Sequence, residues 1–214
     1  ARENENGELG KTECWYVLDA KEGAKLVYGH TAKIKEEFND KINREQWQEL
    51  FIEEEVKAGD FFYIPAGTLH AIGEGILIYE VQQNSDTTYR VYDYDRIDKD
   101  GNKRELHIEK TKDVTKVPFE KVTTSLKTEK LEGATVTYLA DERYFSVFKV
   151  EVEGQVSLEK TRTGNLFTVL NGSGSVEIDG NIYDVKKGDS FILTTDCSKY
   201  TLKGNMFLVG SYDR

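Results

Sequence analysis

The sequence predicts a mainly β protein made of two related domains, with a short helical insertion in the first, and three observations predict it. Short apolar or alternating runs recur along the chain, bounded by Gly, Asn or Asp, as strands and their turns are. The segment Val56-Lys57-Ala58-Gly59-Asp60-Phe61-Phe62-Tyr63-Ile64 returns as Val185-Lys186-Lys187-Gly188-Asp189-Ser190-Phe191-Ile192-Leu193, offset by 129 residues, as a duplicated β domain would repeat. Helical spacing is confined to one stretch, where Ile34, Phe38 and Ile42 recur every four residues and Trp47, Leu50 and Phe51 continue after a cap at Asn43.

In chain order, strands are expected at Cys14–Leu18, Lys25–Tyr28, Phe61–Ile64, Ile76–Gln82, Tyr144–Val152, Phe167–Leu170, Ser175–Ile178, Ile182–Val185, Ser190–Leu193 and Met206–Val209. In each copy of the repeat a strand runs into Gly-Asp and a new strand leaves it. Gly supplies a positive φ there and Asp bonds its own backbone. The predicted division is a first domain at 1–110 with the helical insertion at about 32–52, a charged and Thr-rich connecting segment at 111–133, and a second domain at 134–214.

Composition narrows the class of function. Of the 214 residues 38% are hydrophobic, with 2 Trp, 12 Tyr and 10 Phe, enough for a folded core, and 32% are charged. A formal net charge of -10 repels nucleic acid and anionic membranes, which require concentrated Lys and Arg. A phosphate ligand must therefore meet a local basic cluster. Cys14 and Cys197 lie far apart and make no short-spaced thiol motif, so both are expected to be buried free thiols. No run of about 20 apolar residues is present, which excludes a membrane-spanning helix.

Three segments can carry chemistry. The copies of the repeat diverge after their strands: the first continues Pro65-Ala66-Gly67-Thr68-Leu69-His70 and the second Thr194-Thr195-Asp196-Cys197-Ser198-Lys199, so only the first keeps a metal ligand. The chain has three histidines, His30, His70 and His107, so a catalytic metal would need carboxylates as well. Gly10-Lys11-Thr12-Glu13 enters the first strand, where Lys11 and Glu13, two apart, face the same way. Glu80-Val81-Gln82-Gln83-Asn84-Ser85-Asp86-Thr87-Thr88-Tyr89-Arg90-Val91-Tyr92-Asp93-Tyr94-Asp95-Arg96 ends a strand in a loop dense with carboxylates, amides and aromatic edges, groups that suit sugar hydroxyls, with Arg available for a phosphate.

Gly-Asp, a strand, Pro and a later His resemble the second conserved motif of cupins, small jelly-roll barrels; the second copy resembles a cupin without a metal site. Taken together, Lys11-Thr12-Glu13, Pro65 to Ala71, and Gln82 to Tyr94 closely resemble the short bacterial type I phosphomannose isomerases, and the likeness runs through the whole chain, helical insertion included. The fold it implies is mainly β, two cupin-type jelly-roll domains. That family holds zinc by a Gln and a His of one strand, the Glu of Lys-Thr-Glu and the His of the Gly-Thr-Leu-His turn. The last two correspond to Glu13 and His70. The family's Gln-x-His-Pro segment occurs nowhere in these 214 residues, so the resemblance implies a chain lacking its N-terminal part, with an incomplete first domain.

The activity implied is zinc-dependent interconversion of mannose 6-phosphate and fructose 6-phosphate through an enediol, with this chain an inactive or weakly active fragment. Arg90 corresponds to the family's active-site Arg and would stabilise the enediolate. Asp86 and Glu80 are the acid–base candidates, and Lys11 with Arg90 would bind the substrate. The expected setting is cytoplasmic, with a hexose phosphate as the ligand, no nucleic acid or membrane partner, and a monomer or homodimer. The rival is a non-catalytic sugar-binding cupin, since fold does not fix function.

Overall fold

In the computed structural model, which describes residues 5, 7–124, 126–160 and 164–214, the chain forms two compact units, Ala1–Val122 and Thr123–Arg214. The fold is mainly β and of the cupin type, as the sequence predicts.

Among the described residues the first unit carries six strands and three helices: β1 Glu13–Ala20, β2 Lys25–His30, α1 Lys35–Asn43, α2 Trp47–Leu50, β3 Phe51–Glu55, β4 Phe61–Ile64, β5 His70–Ala71, β6 Ile76–Gln82 and α3 Ile108–Val114. They make two antiparallel three-stranded sheets, β4-β1-β6 and β3-β2-β5. Inner faces of both sheets meet in one core of Trp15, Val17, Leu26, Tyr28, Val56, Phe62 and Ile64. β1 is the middle strand of its sheet, and Glu13 to Val17 are all buried, so both of its faces are covered there. That is why its first five residues do not alternate between buried and exposed.

The helical insertion forms because Phe38 and Ile42 stand four residues apart and are both buried. An ion pair between Glu37 and Lys41 at 2.9 Å supports the outer face of α1. Two details differ from expectation. Asn43 ends α1 and caps nothing, since α2 begins after Gln46. Phe51 leaves the helix and starts β3, where it pairs with His30; an aromatic residue at that point serves a half-buried strand as well as a helix.

The second unit comprises β7 Lys127–Leu131, β8 Ala134–Asp141, β9 Phe145–Glu159, β10 Asn165–Ile178, β11 Asn181–Lys186, β12 Ser190–Leu193 and β13 Lys199–Asp213. They pair antiparallel in the order β11-β10-β13-β9-β8-β7, with β12 also on β10. The core gathers Phe148, Val150, Phe167, Val169, Leu202 and Leu208, each 5% exposed or less. Both α3 and β7 arise within or beside the stretch expected to connect the domains. The Lys-, Thr- and Glu-rich β7 has no apolar face and pairs only at the sheet edge, on β8, so its pattern carried no strand signal.

The repeated Gly-Asp turns coincide in detail. Gly59 has φ +93° and Gly188 φ +94°. Asp60 Oδ2 accepts from the Lys57 amide at 2.9 Å, and Asp189 Oδ2 from the Lys186 amide at 2.9 Å. Gly59 donates to the Val17 carbonyl, and Gly188 to the Val169 carbonyl, both at 2.8 Å. Each turn thus ties its hairpin to the neighbouring strand by the same bonds.

Candidate active site

The site lies in the first unit at the start of β1. Glu13 stands opposite Ile64 of β4 and Gln82 of β6, which points its side chain between the sheets. His70 opens β5, opposite Tyr28 of β2. The turn before it is closed by the Thr68 amide bonding the Pro65 carbonyl at 3.1 Å, and the Gly29 amide holds the Leu69 carbonyl at 2.7 Å. Residues 57 apart in sequence therefore meet from opposite sheets.

Glu13 is fully buried, yet among the described residues neither carboxylate oxygen has a partner in hydrogen-bond geometry. Its Oε1 lies 2.6 Å from His70 Nε2 and its Oε2 lies 2.6 Å from Lys11 Nζ. Burial pushes the Glu13 carboxyl up, but His70 and Lys11 outweigh it and hold the group below the usual carboxylate range. His70 Nδ1 lies 2.8 Å from the Thr68 carbonyl. A carbonyl can only accept, so Nδ1 carries the proton, and a neutral ring then turns the Nε2 lone pair toward a carboxylate oxygen. Two acceptors face each other stably only with a second ring proton or a shared cation between them. A backbone carbonyl accepting from one ring nitrogen is the support that metal-binding histidines receive. Glu13 and His70 thus fit a metal as two donors. Among the described residues no group of three or more His, Cys, Asp or Glu that could hold a metal is present.

Lys11 joins a second carboxylate to the first. Its Nζ also donates to Glu80 Oε1 at 3.3 Å, and the Trp15 indole donates to Glu80 Oε2 at 2.9 Å. Trp15 in turn meets the His70 ring edge-on at 5.2 Å. Burial works against the Lys11 charge, but Glu13 and Glu80 more than restore it and raise its pKa. Three further bonds fasten this corner: the Gln83 amide donates to the Thr12 carbonyl at 2.9 Å, the Thr12 amide to Gln83 Oε1 at 3.1 Å, and Ser85 Oγ to the Leu9 carbonyl at 2.8 Å.

A pocket of about 470 Å³ opens beside the pair, lined by Lys11, His70 and Arg90 among others. The structure therefore gathers Lys11, Glu13, His70 and Glu80 in one network and sets Arg90 on the same pocket. Fully buried Glu13 is not among the lining residues, and neither are Glu80 and Asp86, both of them exposed. Sequence reasoning did not single out Trp15, Asp93, Arg96 or Arg104 as site residues. Arg96 and Arg104 both line the pocket, and Asp93 lies between them and Arg90. The one signal for them was the need of an acidic chain for local fixed positive charge. His30 is buried among Phe38 and Phe119 and bonds the Lys116 carbonyl at 2.8 Å, and His107 accepts from the Arg90 amide at 3.2 Å.

A family model described as "Mannose-6-phosphate isomerase, cupin domain" matches residues 134–213. The chain is 46% identical over 201 residues to the mannose-6-phosphate isomerase ManA of Bacillus subtilis, which covers 94% of this chain and 64% of the relative. It superposes on the crystal structure of the mannose 6-phosphate isomerase from Bacillus subtilis with a TM-score of 0.95 and 43% identity, over 98% of this chain and 67% of that one. A zinc-bound holo crystal structure of a mannose 6-phosphate isomerase shares the fold at TM-score 0.71 and 13% identity, over 95% of this chain and 66% of that one. The chain thus spans about two thirds of the length of the proteins it matches. No helix among the described residues is long and apolar enough to cross a membrane.

Proposed function

We propose that this chain, which belongs to the cupin-domain mannose-6-phosphate isomerase family, carries in its first unit the pocket of a zinc-dependent isomerase that interconverts mannose 6-phosphate and fructose 6-phosphate through an enediol. The observation that carries the reading is the buried Glu13 carboxylate facing Nε2 of a His70 whose other nitrogen is engaged by a backbone carbonyl. Glu13 and His70 would hold the zinc, which when bound supplies a Lewis acid that polarises the sugar carbonyl.

The remaining work falls to side chains. Moving a proton between C2 and C1 builds negative charge on oxygen, and the Arg90 guanidinium on the pocket wall meets that charge at low dielectric. Lys11, kept an ammonium by its two carboxylates, offers its remaining donor capacity to the sugar or its phosphate. Proton transfer is given to Glu80, whose carboxylate is aimed by Trp15 and Lys11. Asp86, exposed on the loop after β6, takes part only if that loop turns inward over substrate. Two donors leave a metal mostly hydrated, so the 214 residues alone turn over weakly or not at all.

The test is coupled turnover of mannose 6-phosphate with zinc supplied. It compares this chain with a chimera in which the preceding segment of Bacillus subtilis ManA is joined ahead of Gly10. Turnover in the chimera, reduced about 10²- to 10³-fold by Arg90→Ala, supports the isomerase. Sugar phosphate binding without turnover in either protein would establish the rival reading, a binding cupin, and sink this one.

A further inference from the structure

The wall that carries Arg90 has an internal brace. Asp93, buried with its side chain 10% exposed, takes both of its oxygens to Arg104: Oδ2 accepts from Nε at 2.7 Å and Oδ1 from Nη2. Such a two-bond fork fixes direction as well as distance. The chain between them turns back in a short hairpin, where Asp98 Oδ1 accepts from the amides of Asp100 and Asn102 at 2.9 and 2.8 Å and Ile97 bridges Lys103. Holding Arg104 holds Glu105, whose carbonyl accepts from Arg90 Nη1 at 3.1 Å. One residue pair further on, Arg90 and His107 exchange bonds, the His107 amide to the Arg90 carbonyl at 2.7 Å and the Arg90 amide to His107 Nδ1 at 3.2 Å. Arg90 Nε itself lies 4.0 Å from Asp93 Oδ1.

Arg90, Arg96 and Arg104 all line the pocket. Like charges on one pocket repel unless a carboxylate stands among them, and Asp93, whose carboxyl is stabilised by Arg104 and also by Arg90 and Arg96, is that carboxylate. We infer that Asp93 and Arg104 are positioning residues that hold the Arg90 guanidinium aimed into the pocket, Asp93 by clamping Arg104 and Arg104 by fixing the Glu105 carbonyl to which Arg90 is anchored. The Arg104 bonds also hold the Asp93 carboxyl below the usual range, so the clamp is intact at neutral pH. The inference rests on the reading of Arg90 as the cation that meets the substrate.

Arg90 order can be read directly on this chain from its Nε–H signal in ¹⁵N NMR, assigned by its loss in Arg90→Lys. The ligand is mannose 6-phosphate. In the parent chain the signal should be ordered and should shift on titration. Asp93→Asn and Arg104→Lys, the second keeping the charge but not the fork, should each lose that order while keeping the dispersed backbone spectrum. Arg104→Lys should also weaken sugar phosphate binding by about tenfold, the value of one charge-assisted hydrogen bond. Asp93→Asn should weaken it less, because it adds net positive charge to the pocket while misaiming one group. A merely structural role would lower both alike. An Arg90 signal that is disordered in the parent chain, or that stays ordered in both variants, overturns the inference. If the variants lose order as expected but mannose 6-phosphate leaves the parent signal unmoved, the brace stands and the isomerase reading falls.

Discussion

The two units repeat one turn but differ at the sixth residue after its strand, His70 in the first and Lys199 in the second. In the first, β4 runs from the Gly59-Asp60 turn to Ile64, opposite Glu13; in the second, β12 runs from the Gly188-Asp189 turn to Leu193, opposite Asn165. Even the next turn matches, with the Thr68 amide on the Pro65 carbonyl and the Cys197 amide on the Thr194 carbonyl, both at 3.1 Å. Counting on from it, His70 opens β5 and Lys199 opens β13. The frame is therefore shared, and the two positions that fit a metal in the first unit hold Asn165 and Lys199 in the second. Asn165 is 2% exposed with its Oδ1 lacking a partner, so this register buries a polar side chain in both units. What changes is the donor: a carboxylate and an imidazole can share a cation, whereas an ammonium has no lone pair to give. Backbone bonds keep the scaffold, and the two side chains that differ are those proposed to hold the metal.

The sharpest way to break the comparison is metal binding. Zinc should shift the His70 ring signals of this chain. Glu13→Gln should weaken that response by more than the roughly 10- to 100-fold that loss of a supporting outer partner costs. Asn165→Asp, which restores a carboxylate at the matching position of the second unit, should produce no zinc response there, since Lys199 still offers no donor. A response from Asn165→Asp, or none lost in Glu13→Gln, would sink the assignment of the two registers.

The comparison also explains which features were legible in the sequence. The Gly-Asp repeat was, because a turn demanding positive φ and an Asx bond restricts residue type strongly. His70 was singled out by its place after that turn, and Glu13 by the resemblance of Lys11-Thr12-Glu13 to the phosphomannose isomerases. The bracing of Arg90 was not: Asp93, Arg104 and Glu105 meet across a hairpin whose residues are exposed and charged, a composition shared by any solvated loop. Nor was the Trp15–Glu80 bond, which depends on two strands lying in register. Strand β7 escaped for a related reason. An edge strand such as β7 needs no apolar face, since one neighbour supplies its hydrogen bonds.

A smaller effect sharpens the likeness of the two cores. Each buries a tyrosine whose hydroxyl is harder to ionise than usual: burial pushes Tyr28 up to about 12, and burial also raises Tyr200. The unfolded chain releases such a proton near pH 10, before the folded one does. Their contribution is therefore complete below pH 10 and is lost as pH rises above it, because the unfolded state then binds fewer protons. Urea unfolding between pH 9 and pH 11 should show this loss, on the order of 1 kcal/mol for Tyr28. Tyr28→Phe and Tyr200→Phe should each flatten it. An unchanged slope in both variants would remove the tyrosines from the alkaline behaviour.

The smallest expected effect bears on the turns themselves. A Cβ added at Gly59 would come no nearer than 4.0 Å to any heavy atom outside its immediate neighbours, the Tyr16 hydroxyl, and one added at Gly188 would meet nothing within 4 Å. Space is therefore not the constraint at either site, and the cost of Ala is that of holding an L residue at φ +93° or +94°, about 1–2 kcal/mol. Because the bonds around the turns are the same, Gly59→Ala and Gly188→Ala should lower stability by equal amounts in urea unfolding, although only the first lies in the unit that carries the site. Unequal losses would mean that the turns are matched in geometry but not in load, with one of them supported by packing beyond its own hairpin.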